Sequence, residues 1–243
     1  MAYSQKFRVA LVAGIITLAV LLFLVSPFFG IREVIVTGNS KISQADILTR
    51  LDVGNQSNLL FLNTNAARRR IMENLYIGDV DFEKVLPDRL YVTVQERRLT
   101  AYIEHMPGSF LLLDDFGRVL EVRSYEYLDE PLPILEGVQF TRFRLGEVLE
   151  VPDAASFGVV VQYAQLLNQH ELINRVSHMN VSDPTNIRII IGYKEFNVGD
   201  VMGADEKIRT IVAILNELPN AEKMRGFANI RQNQSEHFFE ILQ

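Results

Sequence analysis

Four histidines, His105, His170, His178 and His237, are scattered along the chain without the H-E-x-x-H spacing that would set two ring nitrogens around one metal ion. They read as ordinary, partly exposed histidines. Neither G-x-S-x-G nor S-x-x-K occurs, which counts against a serine hydrolase or a penicillin-binding transpeptidase. Asp115, Phe116 and Gly117 spell the kinase triplet but lack a Gly-rich loop and an H-R-D partner, so turn chemistry explains them. Asp114 and Asp115 are adjacent carboxylates on that turn; neighbours on a turn point apart, which does not suit the paired acids of glycan cleavage. With no cysteine, disulfides, thiolate zinc sites and cysteine nucleophiles are excluded. We expect no catalytic residue, no cofactor and no metal.

The elements that could position a binding surface begin with residues 9–29. Val9 to Val25 carries no charge, and 12 of these 17 residues are Leu, Ile, Val or Phe. At 1.5 Å per residue the stretch to Phe29 reaches about 31 Å, the thickness of a hydrocarbon core. Lys6 and Arg8, the only charges in the first 30 residues, precede it, so the positive-inside rule keeps residues 1–8 cytoplasmic and the rest outside. A cleaved signal peptide is the rival, but Ser26, Pro27, Phe28 and Phe29 put bulky rings where small residues should stand. The exterior part holds all 30 acidic residues against 22 of the 24 basic ones, a net charge near −8. That balance argues against nucleic-acid binding and gives no reason for attraction to anionic lipid.

After the span, IREVIVTG reads as a strand ended by Gly38 and Asn39. Ser43 can cap a short helix through Asp46, and Asn63 to Asn65 can cap a second that carries Ile71, Met72 and Leu75 inward. Two alternating runs then flank Pro87 and Asp88, with Val80 and Phe82 in the first, and an exposed-looking Lys84. The order β, α, α, β, β suits a sheet of three strands with two helices on one face. Arg68, Arg69 and Arg70 on the second helix read as a solvated face or a headgroup contact.

Beyond Arg98, LTAYIEH, SFLLLD and GRVLEVR read as a meander. Residues 129–137, with Pro131 and Pro133, are extended and should not form a central strand. A helix opens at Pro152 and Asp153, and strands lie around residues 176–181 and 187–191. A clean amphipathic helix covers 204–218, with Lys207 and Arg209 outward and Pro219 as its stop. Two final strands surround Asn233 and Gln234, the last supplied by Phe238, Phe239 and Ile241, and a terminal strand tends to sit at a sheet edge. The fold class is therefore α+β: one N-terminal transmembrane helix, a small β-α-α-β-β domain, and a larger α+β domain with an antiparallel sheet and two main helices.

The span leading into FFGIREVIVTGN, followed by KVLPDRLYVTVQER, LLLDDFGRVLE and PLPILEGV in that order, resembles the FtsQ/DivIB family of bacterial cell-division proteins. The resemblance implies a POTRA domain over 31–98 and the family's C-terminal domain over 99–243. It also implies a non-enzymatic scaffold of the division complex, a single-pass protein of the cytoplasmic membrane at the septum. Its partners would be FtsB/DivIC-like and FtsL-like proteins, with septal wall-synthesis proteins a further possibility. Phe82 and Lys84 match positions where the family touches other membrane-embedded division proteins; an exposed strand with no partner is the other reading. Arg231 matches the arginine that opens the family's C-terminal hairpin, where the FtsB/DivIC partner adds a strand. Gln232 replaces the aromatic that often follows, leaving Phe238 and Phe239 as hydrophobic anchors or as packing residues. Glu96 and Arg97 would close the third strand and tie the small domain to the next, or meet a partner directly. Two other classes are a membrane-tethered cell-wall enzyme, which needs a pocket with converging polar groups, and a POTRA-type chaperone or transport component, which needs signal cleavage or a following β-barrel.

Overall fold

The computed structural model describes residues 5–54, 57–217, 225–230 and 239–241. Helix α1, Gln5–Leu24, is 20 residues long, about 30 Å at 1.5 Å per residue, and the apolar stretch Phe7–Phe29 is long and apolar enough to cross a membrane. Its one hydroxyl in mid-span, that of Thr17, donates to the Ala13 carbonyl, so no polar group is left unpaired there. A 3-10 turn, Pro27–Phe29, ends the stretch. The chain divides into two compact units, Met1–Arg97 and Arg98–Gln243.

In the first unit, strand β1 (Glu33–Thr37) precedes helices α2 (Gln44–Leu51) and α3 (Thr64–Ile71), then strands β2 (Ile77–Val85) and β3 (Arg89–Glu96). The strand order is β1-β3-β2, parallel between β1 and β3 and antiparallel between β2 and β3. Both helices start where the sequence supplies a cap: Ser43 Oγ accepts from Asp46 N, and Asn63 Oδ1 accepts from Ala66 N. Ile47, Leu51, Ala67 and Ile71 on the helices bury against Val80, Leu90, Val92 and Val94 on the strands. The arginine run is not a uniformly solvated face. Arg68 pairs with Asp79 at 2.6 Å and Asp81 at 3.2 Å, Arg70 donates to the Arg50 and Leu51 carbonyls, and Arg69 is exposed.

The second unit opens with the meander β4 (Leu99–Met106), β5 (Ser109–Asp114) and β6 (Val119–Ser124). It continues through β7 (Ile134–Glu136), α4 (Ala154–Gln169), β8 (Val176–Asn180), β9 (Ile187–Ile191), β10 (Lys194–Gly199) and α5 (Ala204–Glu217). Strands β11 (Gly226–Asn229) and β12 (Phe239–Ile241) complete it. One sheet runs β12-β11-β10-β9-β8-β7-β4-β5-β6. The α+β class holds, and the sheet is mixed, because β4–β7, β7–β8 and β10–β11 are parallel pairings among antiparallel ones. Helix α4 packs on α5 and β4, and α5 on β10.

The proline-flanked segment corrects the expectation that it stays out of the sheet interior. Ile134–Glu136 lies between β4 and β8, and the ladder tolerates the prolines because they stop short of it. Pro133 contributes its carbonyl, to Tyr102 N at 2.9 Å, where a missing N–H costs nothing. Lys207 also departs from expectation: it is buried, and its ammonium donates to the Asp200 carbonyl at 2.8 Å and carboxylate at 3.0 Å. Strand β10, with Lys194 and Asn197 buried, shows no sustained apolar alternation along the sequence.

Candidate partner-binding surfaces

Strand β12 is outermost in the larger sheet. It runs antiparallel to β11, with Phe239 opposite Ala228, Glu240 opposite Phe227 and Ile241 opposite Gly226. Strand β11 is fixed from the other side by its parallel register with β10, Lys194 opposite Gly226 through Asn197 opposite Asn229, and by the buried Ala228 and Ile230. Ile230 N donates to the Asn197 carbonyl at 2.7 Å, carrying the pairing one residue past the strand. Arg231 and Phe238, the other residues expected at this hairpin, lie outside the described residues, as do Asn233 and Pro219. At the opposite end of the sheet, residues 146–149 run along β6. Gly146 N donates to the Val119 carbonyl, Val119 N to the Glu147 carbonyl, and Leu149 N to the Gly117 carbonyl. Among the described residues a segment of the same chain lines β6, whereas β12, the last strand, is three residues long and outermost.

The second surface is β2, an outer strand of the small sheet. Phe82 stands opposite Val92 and Lys84 opposite Leu90. Alternation places both on the same side as the fully buried Val80, while Asp81, Glu83 and Val85 are exposed. Phe82 is half-buried against the core, and Lys84, exposed-looking as a lysine, is half-buried on the same side. Its ammonium donates to the Leu60 carbonyl at 3.2 Å and the Leu62 carbonyl at 2.9 Å, fastening the loop before α3 to β2. What β2 presents outward is its backbone edge and the Asp81, Glu83, Val85 side.

Glu96 acts inside its own unit. Its carboxylate accepts from the backbone N–H groups of Ser40 (2.8 Å), Lys41 (2.9 Å) and Ile42 (2.8 Å), anchoring the β1–α2 loop to the end of β3. Burial pushes this carboxyl up, but the three N–H groups and the Lys41 charge together outweigh burial and hold it below the ordinary glutamate value. Arg97 Nε donates to the Leu75 carbonyl at 3.1 Å.

Residues with chemical potential elsewhere are engaged in structure. Asp114 is buried and accepts from Phe116 N and Arg118 N, so it builds the turn after β5. His170 sits 2.7 Å from Asp205 and His178 3.0 Å from Glu136; His237 lies outside the described residues. Among the described residues no group of three His, Asp or Glu side chains could hold a metal ion. A cleft of about 300 Å³ is lined by Gly137, Pro152, Asp153, Ser156, Phe157 and Ser182. Its one carboxylate, Asp153, is spent capping α4, accepting from Ala155 N, Ser156 N and Ser156 Oγ. The Ser156 hydroxyl first, then these backbone bonds, hold that carboxyl below its usual value.

An N-terminal helix long and apolar enough to cross a membrane, a β-α-α-β-β unit with a three-stranded sheet, and a larger mixed sheet ending in an outer strand define a POTRA-bearing protein with an apolar N-terminal helix. A family model described as "POTRA domain, FtsQ-type" matches residues 29–97. The chain is 25% identical over 212 residues to cell division protein DivIB of Clostridium tetani, covering 87% of this chain and 78% of the relative. It is 25% identical over 236 residues to DivIB of Clostridium botulinum, covering 96% and 91%. Cell division protein FtsQ of Bradyrhizobium diazoefficiens is 24% identical over 205 residues, covering 82% of this chain and 52% of that one. Residues 29–97 thus match an FtsQ-type POTRA domain, and the chain is similar along most of its length to the DivIB and FtsQ cell-division proteins.

Proposed function

We propose that the chain is a non-catalytic scaffold of the division complex. It spans the cytoplasmic membrane once, N-terminus inside, and carries the POTRA domain and the 99–243 domain outside, at the septum. The observation that supports this reading best is the place of β12 at the end of the larger sheet. An outer strand offers a row of N–H and C=O groups on which an extended partner segment can add as a further strand. We assign that segment to an FtsB/DivIC-like protein, itself paired with an FtsL-like protein, with Arg231, Phe238, Phe239 and Ile241 as contacts. The backbone edge of β2, shaped by Phe82 and Lys84, is the second contact, toward other membrane-anchored division or septal wall-synthesis proteins. Confinement of both partners to a thin layer over one bilayer raises their effective concentration, so a short edge suffices.

A tethered wall enzyme is the weaker reading, because the cleft's carboxylate is already committed to a helix cap. The test is capture of the DivIC-like partner from membranes by the full chain, by a chain lacking residues 227–243, and by Phe239→Lys and Ile241→Lys. Capture should fall about tenfold or more in the point variants, a loss of about 1.4 kcal/mol. Undiminished capture by all three would refute the edge assignment. Protease added to wall-stripped cells should digest everything beyond the span, and protection of that part would refute the topology.

A further inference from the structure

The exit from the membrane span is tightly built. Asn58 Nδ2 donates to the Leu24 carbonyl at 2.8 Å, in the last turn of α1. Leu59 N donates to the Phe29 carbonyl at 2.8 Å, Ile31 N to the Ser57 carbonyl at 2.9 Å, and Gly30 forms an antiparallel bridge with Asn58. Arg32 N reaches the Asp88 carbonyl at 2.9 Å. Phe23, Phe28 and Phe29 close a three-ring cluster with centroids 5.1 to 5.5 Å apart, in which Phe29 is buried. Two loops are therefore tied near the exit, one around Asn58 to the last turn of α1 and the β2–β3 turn to Arg32, three residues past the apolar stretch.

Those same loops carry large apolar side chains that are more than half exposed. Phe61, three residues after Asn58, is 63% exposed, and Leu86, two before Asp88, is 57% exposed; Phe28 at the exit is 51% exposed. At no more than about 3.6 Å per residue, Phe61 and Leu86 stand within about 11 Å of their tether points. The interfacial layer of a bilayer extends about 5 to 8 Å beyond the hydrocarbon on each side, within reach of side chains placed so. The basic residues nearby do not ask for anionic lipid: Arg32 faces Asp88 at 3.6 Å and Arg89 faces Glu33 at 3.1 Å.

We propose that Phe61 and Leu86, with Phe28, form a lipid-facing rim that seats the POTRA domain on the outer interface of the bilayer that holds α1. The occupant is the glycerol and upper acyl region of the membrane, which apolar and aromatic side chains enter without a charge requirement. The rim rests on the reading of α1 as a transmembrane helix, and the test separates the two.

The chain contains no tryptophan, so each substitution below creates a sole reporter. Full-length Phe61→Trp and Leu86→Trp are placed in nanodiscs of phosphatidylcholine, with and without bromine on the upper acyl carbons. Ser40→Trp, at the far end of the POTRA sheet, and Leu18→Trp, in the middle of α1, are controls. Phe61→Trp and Leu86→Trp should lose about half their emission in brominated lipid and shift to the blue, in low and high salt alike. Ser40→Trp should be unaffected. Leu18→Trp is also placed in nanodiscs brominated near the acyl-chain ends, where its quenching reports the anchor; absence of quenching there would overturn the anchor and with it the rim. With Leu18→Trp quenched, emission from residues 61 and 86 as insensitive as that from residue 40 overturns the rim alone and leaves these loops to a protein partner. Adding Phe61→Asp to Leu86→Trp should halve the quenching at 86 while the far-ultraviolet dichroism stays unchanged; unchanged quenching there would also count against a shared rim.

Discussion

Replacing Glu96 by Ala removes one acceptor group that serves three backbone donors. Ser40 and Ile42 donate to one carboxylate oxygen and Lys41 to the other, all at 2.8 to 2.9 Å. Hydrogen bonds to a charged group are each worth about 1.5 to 3 kcal/mol, but these donors regain water on a half-exposed loop, so Glu96→Ala should cost about 3 kcal/mol in all. Glu96→Gln should cost about half as much, because its amide oxygen can keep the Ser40 and Ile42 donors while its NH2 group faces the Lys41 N–H. Hydrogen exchange on the full chain in nanodiscs reads the effect locally. In Glu96→Ala, protection of the Ser40, Lys41 and Ile42 amides should fall about a hundredfold, at 1.4 kcal/mol for each factor of ten. Acid should imitate the variant. The folded carboxyl is held below its unfolded value, so its contribution is complete above about pH 4.3 and is lost as pH falls through the folded value. Protection at residues 40–42 that survives in Glu96→Ala, or an equal loss in α4, would refute this account of the loop.

Gly117 has φ +75° and leaves no room for a side chain, since a Cβ there would stand 2.5 Å from the Phe157 ring. Gly117→Ala should therefore displace α4 and cost about 2 kcal/mol or more, read as a lowered melting temperature. Asn63→Ala removes the α3 cap and should lower stability of the first unit by about 1 kcal/mol in denaturant titration. The Asp200 carboxyl is held low chiefly by the Lys207 hydrogen bond, so its stabilising effect disappears as pH falls through its folded value. Lys207→Met should return Asp200 to the ordinary carboxylate range in a carbon-detected titration and flatten the acid slope of stability.

Much of this architecture could be read before any coordinates. Ser43 and Asn63 announced their helices because a side-chain oxygen one residue outside the first turn has a single good use. The alternation of Leu90, Val92 and Val94 marked β3, and the charge-free stretch marked α1. Legibility failed where polar side chains face inward. Strand β10 buries Lys194 and Asn197, which broke its apolar pattern, although Gly192 and Tyr193 form a two-residue hairpin loop that a closer reading of turn chemistry could have caught. A lysine reads as a solvent residue, yet the Lys84 ammonium is satisfied by two carbonyls and that of Lys207 by the Asp200 carbonyl and carboxylate, partners that no pattern along the chain reveals. Pro131 and Pro133 argue against a central strand at 134–136, but the rule concerns donors inside a ladder, and both prolines lie just outside it. The outer place of β12 is legible as a last strand at a sheet edge, while Phe82 and Lys84 are turned toward the protein's own core.

Strand β7 has a consequence for how the larger unit assembles. Strands β4, β5 and β6 are sequence neighbours joined by short turns, and β8, β9 and β10 likewise, so each trio can zip from local contacts at small cost in loop entropy. Among the described residues the short strand Ile134–Glu136 stitches the trios into one sheet, with two rungs to β4, helped by the Pro133 carbonyl, and three to β8. That seam closes late, and when the unit is stressed it is the hem along which the sheet should tear first.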